Sequence, residues 1–224
     1  MRHPLSPSSA ERWMNCLAYY RMVKDIPPRP SSKWAADGTR AHSLLEVSLI
    51  TGLAPIKLER DPVFAKAVSV AYEYIHPFPQ VFPEVKLRIQ MRSLLVKGTA
   101  DAMCIEDPAL ECVDYKHGSG VYVESGGNPQ LTLYLGAARE EFGRRKRYRT
   151  TVIQPRVFKR QAIRTNSLTN DRLDDFLDDA DKALDRNLQG SRDPTAGSWC
   201  RFCPAMGACP AARRKAIGEA FPDE

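Results

Sequence analysis

Apolar positions along the chain change period twice, dividing it into helices, a small sheet and helices again. Near the start, Trp13, Cys16, Leu17 and Tyr20 fall on one helical stripe. Ser8 and Glu11 precede that stripe as an S-x-x-E pair, which predicts a capping box at its N-terminus. Pro27, Pro28 and Pro30 are expected to end this helix. A second helix is predicted from about Trp34 to Leu49, with His42 and Glu46 one turn apart, and a third over Pro62–Ile75, stopping at His76-Pro77. The period then drops to two. Val85, Leu87, Ile89 and Met91 alternate with Lys86, Arg88 and Gln90, as in a half-buried strand. Leu94–Ile105 reads as a second strand and Leu110–Tyr115 as a third, after a turn at Glu106-Asp107-Pro108.

Gly118, Gly120, Gly126 and Gly127 mark a loop, and Asn128-Pro129 opens a helix reaching about Phe142. Strands near Tyr148–Ile153 and Arg160–Arg164 lead to an acidic helix, roughly Thr169–Leu188, then a cysteine-rich loop and a last helix, Pro210–Phe221. Helices on either side of a small sheet define an α/β class, and 224 residues suit one domain. No apolar run is long enough to span a bilayer, and the first residues carry no apolar signal-peptide core, so a cytoplasmic protein without a membrane partner is expected.

Charge changes this picture only locally. The net charge is +6, but Thr169–Gly190 holds seven acids against three bases, while Arg139–Arg164 is strongly basic (Arg139, Arg144, Arg145, Lys146, Arg147, Arg149, Arg156, Lys159, Arg160 and Arg164). Such a block suits a polyanion, or it is a solvated charged face.

The residues that could carry chemistry lie on the strands. Asp101 stands in Gly98-Thr99-Ala100-Asp101, and Asp114 and Lys116 end the third strand two residues apart, on one side of it. Two carboxylates beside an ammonium can hold Mg²⁺ or Mn²⁺ and position a water for phosphodiester hydrolysis, although a surface Asp–Lys pair has the same local look. The cysteines divide into two sets. Cys200-x2-Cys203-x5-Cys209 is a tight soft-metal pattern for which Cys16 is the candidate fourth thiolate, and by spacing alone zinc and iron–sulfur are equally suited. Cys104 and Cys112 belong to strands and are expected to be buried and inert.

The ordered series Gly38-Thr39-x-Ala41-His42, Gly98–Asp101, Asp114-Tyr115-Lys116 and Gln130-x3-Tyr134 resembles the RecB-like branch of the PD-(D/E)XK nucleases, over nearly the whole chain. This group includes exonuclease domains of recombinational helicases, CRISPR-adaptation nucleases and phage-borne exonucleases. The resemblance implies a restriction-endonuclease-like core, a small central mixed sheet flanked by helices, and a metal-dependent DNA exonuclease working in recombination, repair or phage DNA processing. It implies Asp101, Asp114 and Lys116 as catalytic residues. His42, Asp101, Asp114 and the Tyr115 carbonyl would be ligands of Mg²⁺ or Mn²⁺. Gln130 and Tyr134 would hold DNA, and Glu46 would orient His42. The family's third acid is more often Glu; here the shorter Asp114 takes its place. The resemblance also implies a [4Fe–4S] cluster on Cys16, Cys200, Cys203 and Cys209, stapling the N-terminal segment (1–30) to the C-terminal one (195–224) of a single nuclease domain, 1–224. No Walker-A run is present, so helicase or strand-annealing activity would belong to a partner, and a homo-oligomer is a further expectation. Glu84 reads only as a strand-edge charge. Two rival readings remain: a catalytically silent DNA-binding recombination accessory protein with this fold, and a zinc-stabilised RNA-binding domain.

Overall fold

A computed structural model describes residues 3–27 and 32–220. The break expected at Pro28 and Pro30, and the helix end expected at Phe221, lie outside these residues. In chain order the helices are α1 (Ala10–Asn15), α2 (Tyr19–Val23), α3 (Lys33–Thr51), α4 (Pro55–Leu58) and α5 (Pro62–Ile75). The strands β1 (Gln80–Gln90), β2 (Leu95–Glu106) and β3 (Ala109–Tyr115) follow, then α6 (Pro129–Phe142), β4 (Arg147–Ile153), β5 (Ile163–Leu168), α7 (Asn170–Leu188) and α8 (Pro210–Ala220). One five-stranded sheet runs in the order β1-β2-β3-β4-β5. Only the β3–β4 pair is parallel, and α6 supplies the crossover that a parallel pair requires.

Each sheet face carries its own core. On one, Trp13, Met103, Leu110, Leu131, Leu135, Tyr148 and Leu184 gather beneath α1, α6 and α7. On the other, Leu45, Val68, Ile75, Cys104, Val113, Tyr115 and Ile153 lie beneath α3 and α5. The central strand β3 is therefore buried along its whole length, and its polar members Glu111 and Asp114 are buried with it. The longer helices start where the sequence supplies caps. Ser32, Asp61, Asn128 and Thr169 each accept a backbone N–H of the following turn, and Pro62 and Pro129 occupy first-turn positions. Among the described residues no helix is long and apolar enough to cross a membrane.

Four local expectations need correction. The first helix is two, α1 and α2, because Cys16 adopts an extended backbone (φ −130°, ψ 99°) and breaks it. No capping box forms at Ser8; a 3₁₀ turn, Pro7–Ser9, comes first, and Ser9 spends its hydroxyl on the carbonyls of Pro4 and Ser6. Strand β1 begins at Gln80, through Pro83, whose missing N–H is tolerated because β1 is an edge strand. Strand β5 covers Ile163–Leu168 rather than Arg160–Arg164, since Thr151 and Thr150 on β4 pair with Thr165 and Asn166.

Candidate active site and cysteine cavity

The site forms where the central strands part. Ala102 and Val113 make the last rung between β2 and β3. The next would join Asp101 to Asp114, but Asp101 Oδ2 instead accepts the N–H of Tyr115 at 2.7 Å. Across β2 the rungs Pro83–Ala102 and Val85–Ala100 bracket Glu84 opposite Asp101. Glu84, Asp101 and Asp114 thus occupy one row across three strands. Glu84 interrupts the ladder with a left-handed backbone (φ 47°), a conformation costing roughly 1–3 kcal/mol in a non-glycine residue, of the kind that gathers at functional sites.

Helix α3 brings the fourth group. Ala41 and Leu45 are buried against the sheet, which turns the neighbouring His42 toward its edge. His42 Nδ1 lies 3.2 Å from Asp101 Oδ1, and its ring meets Tyr115 edge-on, centroids 5.8 Å apart. Single donor atoms of His42, Glu84 and Asp101 lie within 4.8 Å of one another. Carboxylate oxygens with one imidazole nitrogen suit a hard divalent ion such as Mg²⁺ or Mn²⁺.

Asp114 faces Lys116, whose Nζ is 2.8 Å from both carboxylate oxygens, and Gln130 Nε2 donates to Oδ1 at 3.4 Å. The electrostatics are those of anions crowded together. Burial raises the pKa of Asp114, Lys116 opposes that rise, and Asp101 adds to it. Burial and then the charge of Asp101 raise the pKa of Glu84. Burial works against a charged His42, yet the hydrogen bond and charge of Asp101 outweigh it and raise its pKa. A divalent cation among these groups would relieve the crowding.

The structure brings together His42, Asp101, Asp114, Lys116 and Gln130, all anticipated from the sequence, and adds Glu84, which was not. Glu46, expected to orient His42, acts by its charge on Glu84, while Asp101 engages the imidazole. Tyr134, expected to hold DNA, is buried one turn beyond Gln130, its ring filling the space that Gly98 leaves free. Gln154 was also missed. Its amide donates to the carbonyls of Gly118 and Val121 and accepts from Val123 N–H, pinning the loop that follows Lys116. Its membership depends on a fold-back that no local pattern reports.

Much of the basic block is already paired within the protein. Arg139 Nη1 lies 2.5 Å and Arg144 Nη2 3.7 Å from Asp174 of the acidic helix α7; Arg145 faces Asp107 and Arg149 faces Glu106 and Glu111. Arg164 is buried and donates to the Val123 carbonyl.

Elsewhere in the fold, residues from both ends of the chain, Cys16 with Cys200, Cys203 and Cys209, line one small apolar cavity. Two 3₁₀ turns, Ser198–Phe202 and Met206–Ala208, fold the C-terminal three together. Backbone N–H groups point at sulfur: Gly197 N is 3.5 Å from Cys200 Sγ, and Ala205 N–H bonds Cys203 Sγ. At Cys203 burial outweighs its N–H donor and raises the thiol pKa. Cys104 and Cys112 are wholly buried in the sheet, and burial drives both thiol pKa values far above the usual range.

A five-stranded mixed sheet between helical layers, with a carboxylate–lysine site at its split, defines a mixed α/β protein. The chain belongs to the family described as "Protein of unknown function (DUF2800)", whose model matches residues 3–69 and 64–223. Among solved structures it is similar to a candidate exonuclease from Eubacterium rectale, with a TM-score of 0.53 and 13% identity over 99% of this chain and 94% of that one. That likeness is one of fold. It is also similar to SSO0001, with a TM-score of 0.43 and 15% identity over 88% of this chain and 95% of that one.

Proposed function

We propose that this protein is a metal-dependent deoxyribonuclease of the PD-(D/E)XK superfamily, RecB-like branch, acting as an exonuclease on DNA ends. One observation carries the reading: Glu84, Asp101 and Asp114 in one row, with His42 against Asp101 and Lys116 against Asp114. His42, Glu84, Asp101, Asp114 and the Tyr115 carbonyl would hold a Mg²⁺ or Mn²⁺ ion. When bound, such an ion supplies Lewis-acid stabilisation of the phosphoryl oxygen and a more acidic water.

The chain's own groups do the rest. Lys116 keeps Asp114 fixed through both oxygens, and its ammonium would also orient the attacking water. Its charge offsets the negative charge that grows on the phosphoryl oxygens as the water adds. Gln130 holds Asp114 from the α6 side, and Gln154 keeps the following loop from carrying Lys116 away. Cys16, Cys200, Cys203 and Cys209 would hold a [4Fe–4S] cluster; the support is their meeting at one cavity and the N–H donors aimed at sulfur.

The test is cleavage of end-labelled duplex DNA with Mg²⁺ or Mn²⁺. Lys116→Ala should fold normally and lose at least ~10²–10³-fold in rate, the scale of removing one preorganised charged donor. Turnover like the parent's in Lys116→Ala, or equal cleavage in EDTA, would remove the assignment.

A further inference from the structure

The β1–β2 hairpin extends well beyond the carboxylate row, and its two faces differ in kind. From Val85 onward the odd residues of β1, Leu87 and Ile89, are buried beneath α6, as are Val96 and Ala100 of β2. The alternate positions form the other face. Starting from Glu84 and Asp101, the next same-face rung pairs Lys86 with Thr99, and the one after pairs Arg88 with Lys97. Lys86, Arg88 and Lys97 are all exposed.

This arrangement is unfavourable for the protein alone. Arg88 and Lys97 sit directly opposite each other on an antiparallel pair, where like charges destabilise a sheet. None of the three cations has a carboxylate within ion-pair distance among the described residues. They border an open hollow with Thr99, Glu140 and Glu141; the two α6 carboxylates share that hollow without pairing any of the three. Arg139, Arg144, Arg145 and Arg149, by contrast, are each held by an acid. Among the described residues these three are the cations of β1 and β2, the strands that carry Glu84 and Asp101, and none of them is spent on an internal ion pair.

We infer that the Lys86–Thr99 and Arg88–Lys97 rungs form a phosphate track that receives the nucleic-acid strand beside the catalytic row. The inference rests on the nuclease reading and adds where the strand lies. Successive same-face positions on a strand are about 6.6 Å apart, so Lys86 and Arg88 stand roughly 7 and 13 Å along β1 from Glu84. That step is close to the separation of consecutive phosphates in an extended single strand. The occupant is the phosphodiester backbone, bound without regard to base sequence, because cations on a sheet face read charge and spacing only.

The experiment measures binding of the intact protein to a fluorescein-labelled oligothymidylate in EDTA, across a range of salt concentrations. Arg88→Ala/Lys97→Ala should flatten the slope of log K against log[salt] by about 0.7 for each phosphate no longer neutralised, so by about 1.4. Its thermal stability should stay level or rise, since an opposed like-charge pair has been removed. The control Lys182→Ala/Lys215→Ala removes the same net charge from two helix-surface cations already paired with Asp179 and Glu219, and should keep the parent slope. A parent protein that binds no nucleic acid overturns the nuclease reading and this inference together. A parent that binds, with an unchanged slope in Arg88→Ala/Lys97→Ala or equal flattening in the control, overturns the track alone.

Discussion

Glu84 shows what separates a residue legible in the sequence from one that is not. Asp114 and Lys116 could be placed on one side of a strand because the two-residue period is local, and Asp101 followed from its Gly-Thr-Ala lead. Glu84 joins them only through the pairing of β1 with β2, fixed by a hairpin whose turn lies between Gln90 and Leu95, and through a positive φ. Neither is written in the neighbours of Glu84, which alternate like any edge strand. The placement has a direct consequence. If Glu84 completes the cation site, Glu84→Gln keeps the shape, removes the charge and should weaken Mn²⁺ binding by at least ~10-fold, the lower end of what even outer-layer changes at metal sites cost. Calorimetric titration of parent and variant with Mn²⁺ checks this. Equal affinity would return Glu84 to the role of an edge charge. Lys86→Gln, two residues along the same face, should bind Mn²⁺ as the parent does.

At the scale of elements, the sheet and the long helices were readable because periodicity and capping agree, as at Asn128-Pro129 before α6. The misplaced pieces are those that distant partners decide. The stripe from Trp13 to Tyr20 is periodic throughout, yet the chain breaks at Cys16, and Asn187 of α7 holds the two halves apart in angle by donating to Trp13 O and accepting from Tyr20 N. Helix α4 is too short to leave a periodic signal. Gly98 and Tyr134, which the sequence offered as members of separate motifs, prove to touch each other between β2 and α6. A Cβ on Gly98 would lie 2.7 Å from Tyr134 Cε1 and 2.8 Å from its hydroxyl. Because Tyr134 is buried, its ring cannot simply swing away. Gly98→Ala should therefore cost about 1–3 kcal/mol, the usual range for overpacking. The same change in a Tyr134→Ala background should cost less, giving a measurable coupling in a denaturation cycle. Additive costs would mean that Gly98 matters to the backbone and not to the ring.

Over the whole molecule, the two ends of the chain are tied together beside the core and away from the carboxylate row. Thr195 donates its hydroxyl to the Asn15 carbonyl, Trp13 and Tyr20 share Asn187, and Cys16 meets Cys200, Cys203 and Cys209 at one cavity. The C-terminal three were legible as a soft-metal pattern from their spacing, whereas Cys16 could be named only as the candidate fourth thiolate, to which the resemblance added support, since residue 16 and residue 200 have no local relation. The cysteine-bearing stretch before α8 is built of short 3₁₀ turns with no buried residue of their own, so a metal centre there would supply much of its hold. If that centre is a [4Fe–4S] cluster, protein purified without oxygen should be brown and contain about four irons and four sulfides per chain. Cys16→Ala should bleach the colour as Cys203→Ala does and lower the melting temperature, because either opens the tie between the chain ends. Cys104→Ala and Cys112→Ala lose thiols that face only the two cores of the sheet, so both should keep colour and iron, whatever their cavities cost in stability. Colourless protein with a single zinc and no sulfide would replace the cluster with a Cys₄ zinc site and leave the tie intact. Retained colour in Cys16→Ala would show that the N-terminal thiol lines the cavity without binding what it holds.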